Sequence, residues 1–491
     1  MTEPRAPIEL TGTASRFTNT TRQPDAELIA RLEAICETIT TEAETAEASR
    51  DWWPLAMHWS LTGSVPQRAA AICRPTTTEH VSDVLSECSA AAVPVTAAGG
   101  RSGVSGASIP VFGGVVLDLT AMHGITEIDA VAGVVEVWAG TFGPELENEL
   151  RRQCAMTIGH FPQSFDIATV GGWVACSGAG QYSTRYGKID EMVVGLEVVL
   201  ADGTVLRTGH GPAAAMGPDL THLFIGSEGT LGVITRVWLR AHPVPTHERR
   251  AAYTFADFES GIEACRLILR RGATPAVLRL YDAVETQRSH GGDGTSCALL
   301  VLDEGDIGLV EAVLGVVEDE CAAALPASDE LVEQWLVHRN DTHALQELTR
   351  KGFVVDTMEI AAPWSRLGAI FTAARAALMA VPHARVASCH LSHSYLDGAC
   401  LYFTFAAAPP PDLIEATYVA MWDAGQRAVL AAGGNLSHHH GIGLNRGRFM
   451  NESMGSSLGV LQSLKNALDP GGILNPGKLG LSSLFGSAPW P

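Results

Sequence analysis

Val95-Thr96-Ala97-Ala98-Gly99-Gly100-Arg101-Ser102-Gly103-Val104-Ser105-Gly106 is a short strand-like run that gives way to a loop of small residues. Consecutive small residues let successive backbone N–H groups point at one centre, which makes an anion nest. A pyrophosphate needs that close approach, and a Cβ at the glycine positions would block it. The segment departs from the G-x-G-x-x-G dinucleotide fingerprint, because no capped helix starts directly behind the loop. By itself such a loop is as readily a plain glycine turn as an anion site.

The surrounding chain alternates short apolar runs with helical stretches. Ala69–Cys73 is followed by a helical pattern over Thr78–Ala92 and by Pro94–Ala97; Gly114–Leu119, Val134–Ala139 and Met192–Leu200 follow. Strands alternating with helices argue for a sheet covered by helices. Asp202-Gly203 predicts a hairpin with a two-residue turn. Two further small-residue segments lie downstream: Ser164-Phe165-Asp166-Ile167-Ala168-Thr169-Val170-Gly171-Gly172-Trp173, continuing through Cys176-Ser177-Gly178-Ala179-Gly180, and Ile225-Gly226-Ser227-Glu228-Gly229-Thr230-Leu231-Gly232-Val233-Ile234-Thr235.

In order and spacing these three segments resemble the FAD-binding domain of the vanillyl-alcohol oxidase and p-cresol methylhydroxylase superfamily. The tail Asp469-Pro470-Gly471-Gly472-Ile473-Leu474-Asn475-Pro476-Gly477-Lys478 is similar to that family's closing segment. The resemblance spans roughly residues 66–480 and implies an α+β chain: a two-subdomain PCMH-type FAD-binding fold with a second α+β cap domain of the FAD-linked oxidase C-terminal type. It implies that Thr96, Ala97, Ala98, Gly99, Gly100, Arg101, Ser102 and Gly103 cradle the pyrophosphate. Gln163, Ser164, Asp166, Thr169, Gly171, Gly172, Cys176, Ser177, Gly178, Ala179 and Tyr182 would lie along the ribityl chain and flavin ring. Gly226, Glu228, Gly229, Gly232, Val233 and Ile234 would enclose the cofactor. Some members attach flavin through a histidine in the first loop; Arg101 and Ser102 stand there instead, which implies noncovalent FAD.

The composition suits such a chain. Among 491 residues 46% are hydrophobic and 18% charged, enough apolar matter for large cores. A net charge of −21 argues against nucleic acid and anionic lipid surfaces as partners, and leaves a small-molecule or lipid-like substrate. The ten cysteines form no CxxC pair, no apolar run reaches a membrane-spanning length, and the N-terminus carries no secretory pattern. Together these predict a cytoplasmic protein with reduced thiols, and leave a homodimer open. The expected division is a helical extension over 1–65, read as peripheral; the FAD-binding domain over 66–243; the cap over 244–430; and a C-terminal segment over 431–491 that returns to the flavin. Helical patterns are expected at Ala26–Thr38, Phe258–Arg271, Ile307–Cys321, Ser365–Met379 and near Gly459–Leu468.

The reaction is read from Gly433-Gly434-Asn435-Leu436-Ser437-His438-His439-His440-Gly441-Ile442-Gly443. Three consecutive histidines can be a metal-binding tract. In the 2-hydroxy-acid dehydrogenase branch this place reads Glu-His-Gly and serves a metal. Here His439 replaces the glutamate, and Cys389–Gly398 lacks that branch's Gly-Asp-Gly-Asn, so no metal is expected. The triple histidine instead resembles the alkylglycerone phosphate synthases of ether-lipid synthesis. That resemblance implies Tyr402 as acid/base, tuned by His438, His439 and His440, with Arg279 balancing charge. One position departs. The family's substrate-binding arginine falls at Leu345, with Arg350 and Lys351 a turn or two later, which keeps open a flavin oxidase or dehydrogenase of a hydroxylated small molecule.

Overall fold

The computed structural model describes residues 7–209, 211–341 and 343–490. Three short runs of apolar residues, β2 (Ala71–Arg74), β3 (Val95–Ala98) and β4 (Val115–Asp118), pair in parallel after β1 (Glu37–Ile39) has laid an antiparallel edge on β2. The sheet order is β1-β2-β4-β3. Parallel strands need a crossover, and the helix Thr78–Ala90 supplies it, capped by the Thr77 hydroxyl accepting the His80 N–H.

The second sheet is antiparallel: β5 (Ile125–Asp129), β6 (Val134–Trp138), β7 (Val193–Val199), β8 (Val205–Arg207) and β9 (Val233–Arg240), in the order β8-β7-β9-β6-β5. The predicted hairpin joins β7 to β8, but its turn is not the two-residue one expected. The Leu200 N–H reaches Thr204 O at 2.9 Å, so three residues, Ala201–Gly203, form the loop. Gly203 has φ +86° while Asp202 is not left-handed, and a two-residue type I′ turn would need both.

The cap holds seven antiparallel strands: β10 (His247–Phe255), β11 (Val277–Tyr281), β12 (Cys297–Gly305), β13 (Leu325–Ala327), β14 (Val354–Pro363), β15 (Ala384–Ser394) and β16 (Gly398–Ala407). Their order is β13-β10-β12-β11-β15-β16-β14. Strand side chains alternate between faces. Leu278, Leu280, Cys389, Leu391, Leu401, Phe403, Met358 and Ile360 pack on one face, in a core shared with the helices Phe258–Arg270, Ile307–Glu320, Trp364–Met379 and Ile414–Ala431. Arg279, Tyr281, His390, Tyr402 and Thr357 take the other face and line a cavity.

Two expectations fail at the N-terminus. The helix predicted over Ala26–Thr38 stops at Ile35, because Cys36 turns extended and Thr38 and Ile39 pair with β2. Residues 7–65 are also not peripheral. Trp53 is fully buried, donates from Nε1 to the Tyr418 hydroxyl at 2.8 Å, and meets Trp59 and Trp490 edge-on. The tail pairs with β3: Val95 N–H donates to Ile473 O and Asn475 N–H to Val95 O, both at 2.8 Å. Among the described residues no helix is long and apolar enough to cross a membrane.

Candidate active site

The three small-residue segments meet around one cavity of about 1040 Å³. The first loop lies directly on the second segment. A Cβ on Gly99 would stand 2.1 Å from Thr169 Oγ1, and one on Gly100 would stand 1.9 Å from Ile167 O, so only glycine permits the contact. Among the described residues the backbone N–H groups of Gly100, Arg101, Ser102 and Gly103 donate to no protein acceptor. Four consecutive free donors on a cavity wall fit the pyrophosphate of FAD. Arg101, at φ +52°, adds a guanidinium 3.7 Å from Asp118.

The walls carry Ala97, Ala98, Gly99, Gly100, Arg101, Ser102 and Gly103, then Gln163, Ser164, Asp166, Thr169, Gly171, Gly172, Cys176, Gly178 and Ala179, then Glu228, Gly229, Gly232, Val233 and Ile234. Four of the residues expected at the cofactor do not line it. Thr96 is buried within β3. Ser177, left-handed at φ +52°, turns its hydroxyl to Lys188 Nζ. Tyr182 packs against Phe161 and under Arg339. Gly226 donates to Val174 O in the turn behind the wall. Glu228 does line the cavity, and it also ties the third segment to the C-terminal loop, accepting the Ile442 and Gly443 N–H groups at 2.6 and 2.8 Å. Burial pushes its carboxyl up to about 7 against those two donors.

The other wall is set by strand register. Glu359 of β14 pairs with Tyr402 of β16, Tyr402 with His390 of β15, and His390 with Tyr281 of β11. Direct partners share a sheet face, so four side chains stand in one row across four strands. The Arg279 guanidinium, two residues before Tyr281, donates from Nε to the Tyr281 hydroxyl and from Nη2 to His390 Nε2, both at 2.7 Å. Because arginine only donates, His390 Nε2 accepts, and His390 Nδ1–H is left to donate to Glu285 Oε1 at 2.9 Å. Burial, and then Arg279, pushes the His390 pKa down to about 4, so the ring is neutral.

Tyr402 lies ring to ring on His390, with centroids 4.7 Å apart, and on His439 at 6.1 Å. Thr357 lies beside its hydroxyl. Among the described residues the contacts of Tyr402 with the histidines are ring to ring. Burial pushes the phenol above its ordinary pKa, so Tyr402 rests protonated.

Glu359, a fully buried acid of β14, shapes the histidine loop. It accepts from the Ser437 hydroxyl, from the His439 and His440 N–H groups at 3.2 and 2.8 Å, and from the Arg446 guanidinium. Burial alone would raise this carboxyl, yet Arg446 and then His440 hold it well below the usual range. His439 and His440 line the cavity, whereas His438 stands behind them. His438 bonds from Nδ1 to His439 Nδ1 at 2.8 Å and from Nε2 to the Tyr395 hydroxyl at 2.6 Å.

The sequence did not single out His393 or Tyr395. His393 sits at a bulge in β15, at φ +51°, which re-aims its ring into the wall. One ring nitrogen from each of His393, His438 and His439 lie within 4.8 Å of one another, a grouping the sequence reading did not foresee. Leu345 does line the cavity, while Arg350 does not and is held by Glu347 and Pro7 O. The cations on the wall are Arg101, Arg279, Arg288 and Arg339.

Comparisons with known proteins agree with this geometry. The FAD binding domain family matches residues 69–209, and the family described as FAD linked oxidases, C-terminal domain, matches residues 244–479. An uncharacterized FAD-linked oxidoreductase of Escherichia coli (strain K12) is 34% identical over 446 residues, covering 86% of this chain and 90% of its own. The alkyldihydroxyacetonephosphate synthase of Dictyostelium discoideum is 28% identical over 458 residues, covering 85% and 74%. A solved alkyldihydroxyacetonephosphate synthase superposes with TM-score 0.77 at 24% identity over 96% of this chain and 89% of that one. p-Cresol methylhydroxylase does so with TM-score 0.75 at 18% identity, over 93% and 96%. These two structures share the PCMH-type fold with it. The chain belongs to the FAD-linked oxidoreductases, and FAD is its cofactor.

Proposed function

We propose that the chain is an alkylglycerone phosphate synthase-like flavoenzyme that binds FAD noncovalently and acts on an acyl ester of dihydroxyacetone phosphate or a close lipid-like analogue. The observation that carries this reading is the row Tyr402–His390–Tyr281, set in register with the buried Glu359 across four strands and facing the same cavity as the glycine loop. FAD bound there supplies an electron-pair acceptor next to the substrate. The residues supply the rest. Tyr402 enters protonated and holds the acid/base position. Arg279, fixed by Tyr281 and His390, keeps a permanent positive charge beside it to balance developing negative charge.

Leu345 supports a second reading. An apolar side chain stands where the synthases carry a substrate-binding arginine, which favours an oxidase or dehydrogenase of a hydroxylated small molecule, of the 2-hydroxy-acid type. Anaerobic mixing separates the two. Palmitoyl dihydroxyacetone phosphate with hexadecanol should yield ether product while the flavin spectrum returns to the oxidised form. Stable bleaching by a 2-hydroxy acid, with no ether product, would overturn the synthase reading in favour of the second.

A further inference from the structure

Arg339 follows the cap helix Glu330–His338 and lines the cavity away from the histidine loop's own segment. Its guanidinium carbon lies 5.6 Å from the ring centre of Phe161, 5.0 Å from that of Tyr182 and 5.7 Å from that of Trp335. Phe161 and Tyr182 belong to the FAD-binding domain and Trp335 to the cap, so the cation sits in the seam between the two. Its backbone is fixed there as well. Arg339 O accepts from Gln181 Nε2 at 3.2 Å, and the Gln181 N–H donates to Phe161 O at 2.9 Å.

Ring faces attract a cation, but they leave the edge of the guanidinium without a strong acceptor. Nη1 of Arg339 is buried and has no hydrogen-bond partner, and among the described residues no carboxylate pairs with this side chain. The other cations of the wall are engaged. Arg101 stands 3.7 Å from Asp118 and Arg288 3.7 Å from Glu285, while Arg279 spends Nε and Nη2 on Tyr281 and His390. Leu345 brings only an apolar side chain to the cavity, and Arg350 does not line it. A buried guanidinium donor without an acceptor is destabilising, and an anion that enters the planar fork reverses that loss.

We propose that Arg339 anchors the substrate by its anionic group, a phosphate monoester or a carboxylate, whose oxygens accept from the guanidinium at Nη1 while Phe161, Tyr182 and Trp335 hold the cation in place. The two groups share the chemistry that matters, anionic oxygens spaced to meet a guanidinium fork. Trp335 links the anchor to the catalytic wall, because its ring centre also lies 5.8 Å from the Arg279 guanidinium carbon. The cofactor has its own anion site, the four free N–H donors of Gly100–Gly103. The anchor rests on the proposed function in one respect, that the substrate is an anion, and both readings of that function share it.

Anaerobic flavin titrations of the full, FAD-loaded chain test it, read as the half-saturating concentration of the spectral change. The anionic probes are palmitoyl dihydroxyacetone phosphate and 2-hydroxyoctanoate; their neutral counterparts are palmitoyl dihydroxyacetone and 2-hydroxyoctanamide. In the wild type one anion at least should act at a concentration about tenfold or more below its counterpart's. The phosphate probe would assign a phosphate ester, the carboxylate probe a 2-hydroxy acid. Arg339→Gln should weaken that anion by about 10- to 100-fold, the scale of a charge-assisted hydrogen bond, with the neutral counterpart unchanged and the flavin content full. Arg339→Lys keeps the charge without the fork and should fall between the two. A wild type that prefers neither anion would overturn the anchor. So would an Arg339→Gln variant that keeps the preference, or one that folds without flavin, since the arginine would then serve the cofactor. If Arg339→Gln fails to fold, Arg339→Lys decides, and wild-type affinity for the anion in that variant would overturn the anchor. Absence of ether product would overturn the synthase reading and leave the anion preference at Arg339 unchanged.

Discussion

Tyr402 and Glu228 show what burial does to single ionisable groups in this protein. A phenol buried and stacked between His390 and His439 is costly to ionise, so its proton is held until the reaction moves it. Tyr402→Phe keeps the ring and its stacking. It should therefore retain FAD and its absorbance, while turnover of the acyl ester falls by about 100-fold or more, the usual scale of a lost acid/base group. Near-normal turnover in that variant would remove Tyr402 from the chemistry. Glu228 gives a stability prediction. Its folded pKa, pushed up to about 7 by burial, lies above the 4.5 of the free side chain. A group with a raised pKa contributes stability that is full below about pH 4.5 and is lost as pH rises through about 7. The wild type's unfolding free energy in urea should therefore drop relative to that of Glu228→Gln between pH 5 and pH 8. The drop is on the order of 1.4 kcal/mol for every tenfold by which folding tightens the carboxyl's hold on its proton. A constant gap between the two proteins would refute it. At this scale the sequence is uneven. Tyr402, Arg279 and His439 are legible because they lie in segments with a family likeness. Glu359, like Asp356, could have been suspected as a carboxylate inside an apolar run. His393 could not, because its aim depends on a bulge that local pattern does not encode.

At the scale of elements, the glycine loop is the most exposed to a single methyl group. Gly100→Ala puts a Cβ 1.9 Å from Ile167 O, which is backbone and cannot yield without moving the second segment. We expect Gly100→Ala to purify with little or no flavin while keeping its far-ultraviolet circular dichroism. A full flavin complement would mean that the two segments are not packed as described. In the wild type, acid precipitation should release all yellow colour into the supernatant, since Arg101 and Ser102 occupy the loop where a histidyl bond would form. Colour left in the pellet would contradict noncovalent binding. Local pattern exposed β2, β3, β4 and the helix between them, because a crossover unit is built from neighbours in sequence. The four-strand row of the active site was hidden for the opposite reason. Two of its three pairings, Glu359 with Tyr402 and His390 with Tyr281, join residues far apart in the chain, and a slip of one residue in any pairing would turn a side chain to the opposite face.

At the scale of the molecule, the N-terminal segment and the tail join what would otherwise be separate layers. β1 extends the first sheet, Trp53 lies in the cap's core with Tyr418 and Trp490, and Trp52, Pro54 and Met57 line the cavity. The tail pairs with β3 and reaches Glu228 O through Asn475 Nδ2. Their role was illegible because the helical pattern at Ala26–Thr38 says nothing of what the segment packs against, and the partners of Trp53 lie hundreds of residues away. If this segment couples the layers, the chain should unfold as one unit and release its flavin at the same moment. Trp53→Ala removes a fully buried indole and leaves the Tyr418 hydroxyl without its donor, a loss of about 3–5 kcal/mol. Its denaturation midpoint should fall, and flavin fluorescence should rise at that same lowered midpoint. Added FAD should raise both together, because a ligand that binds only the folded state stabilises everything coupled to it. Flavin held until the wild-type midpoint, while tryptophan emission reports an earlier cap transition, would show two independent bodies and remove the N-terminal segment from its coupling role.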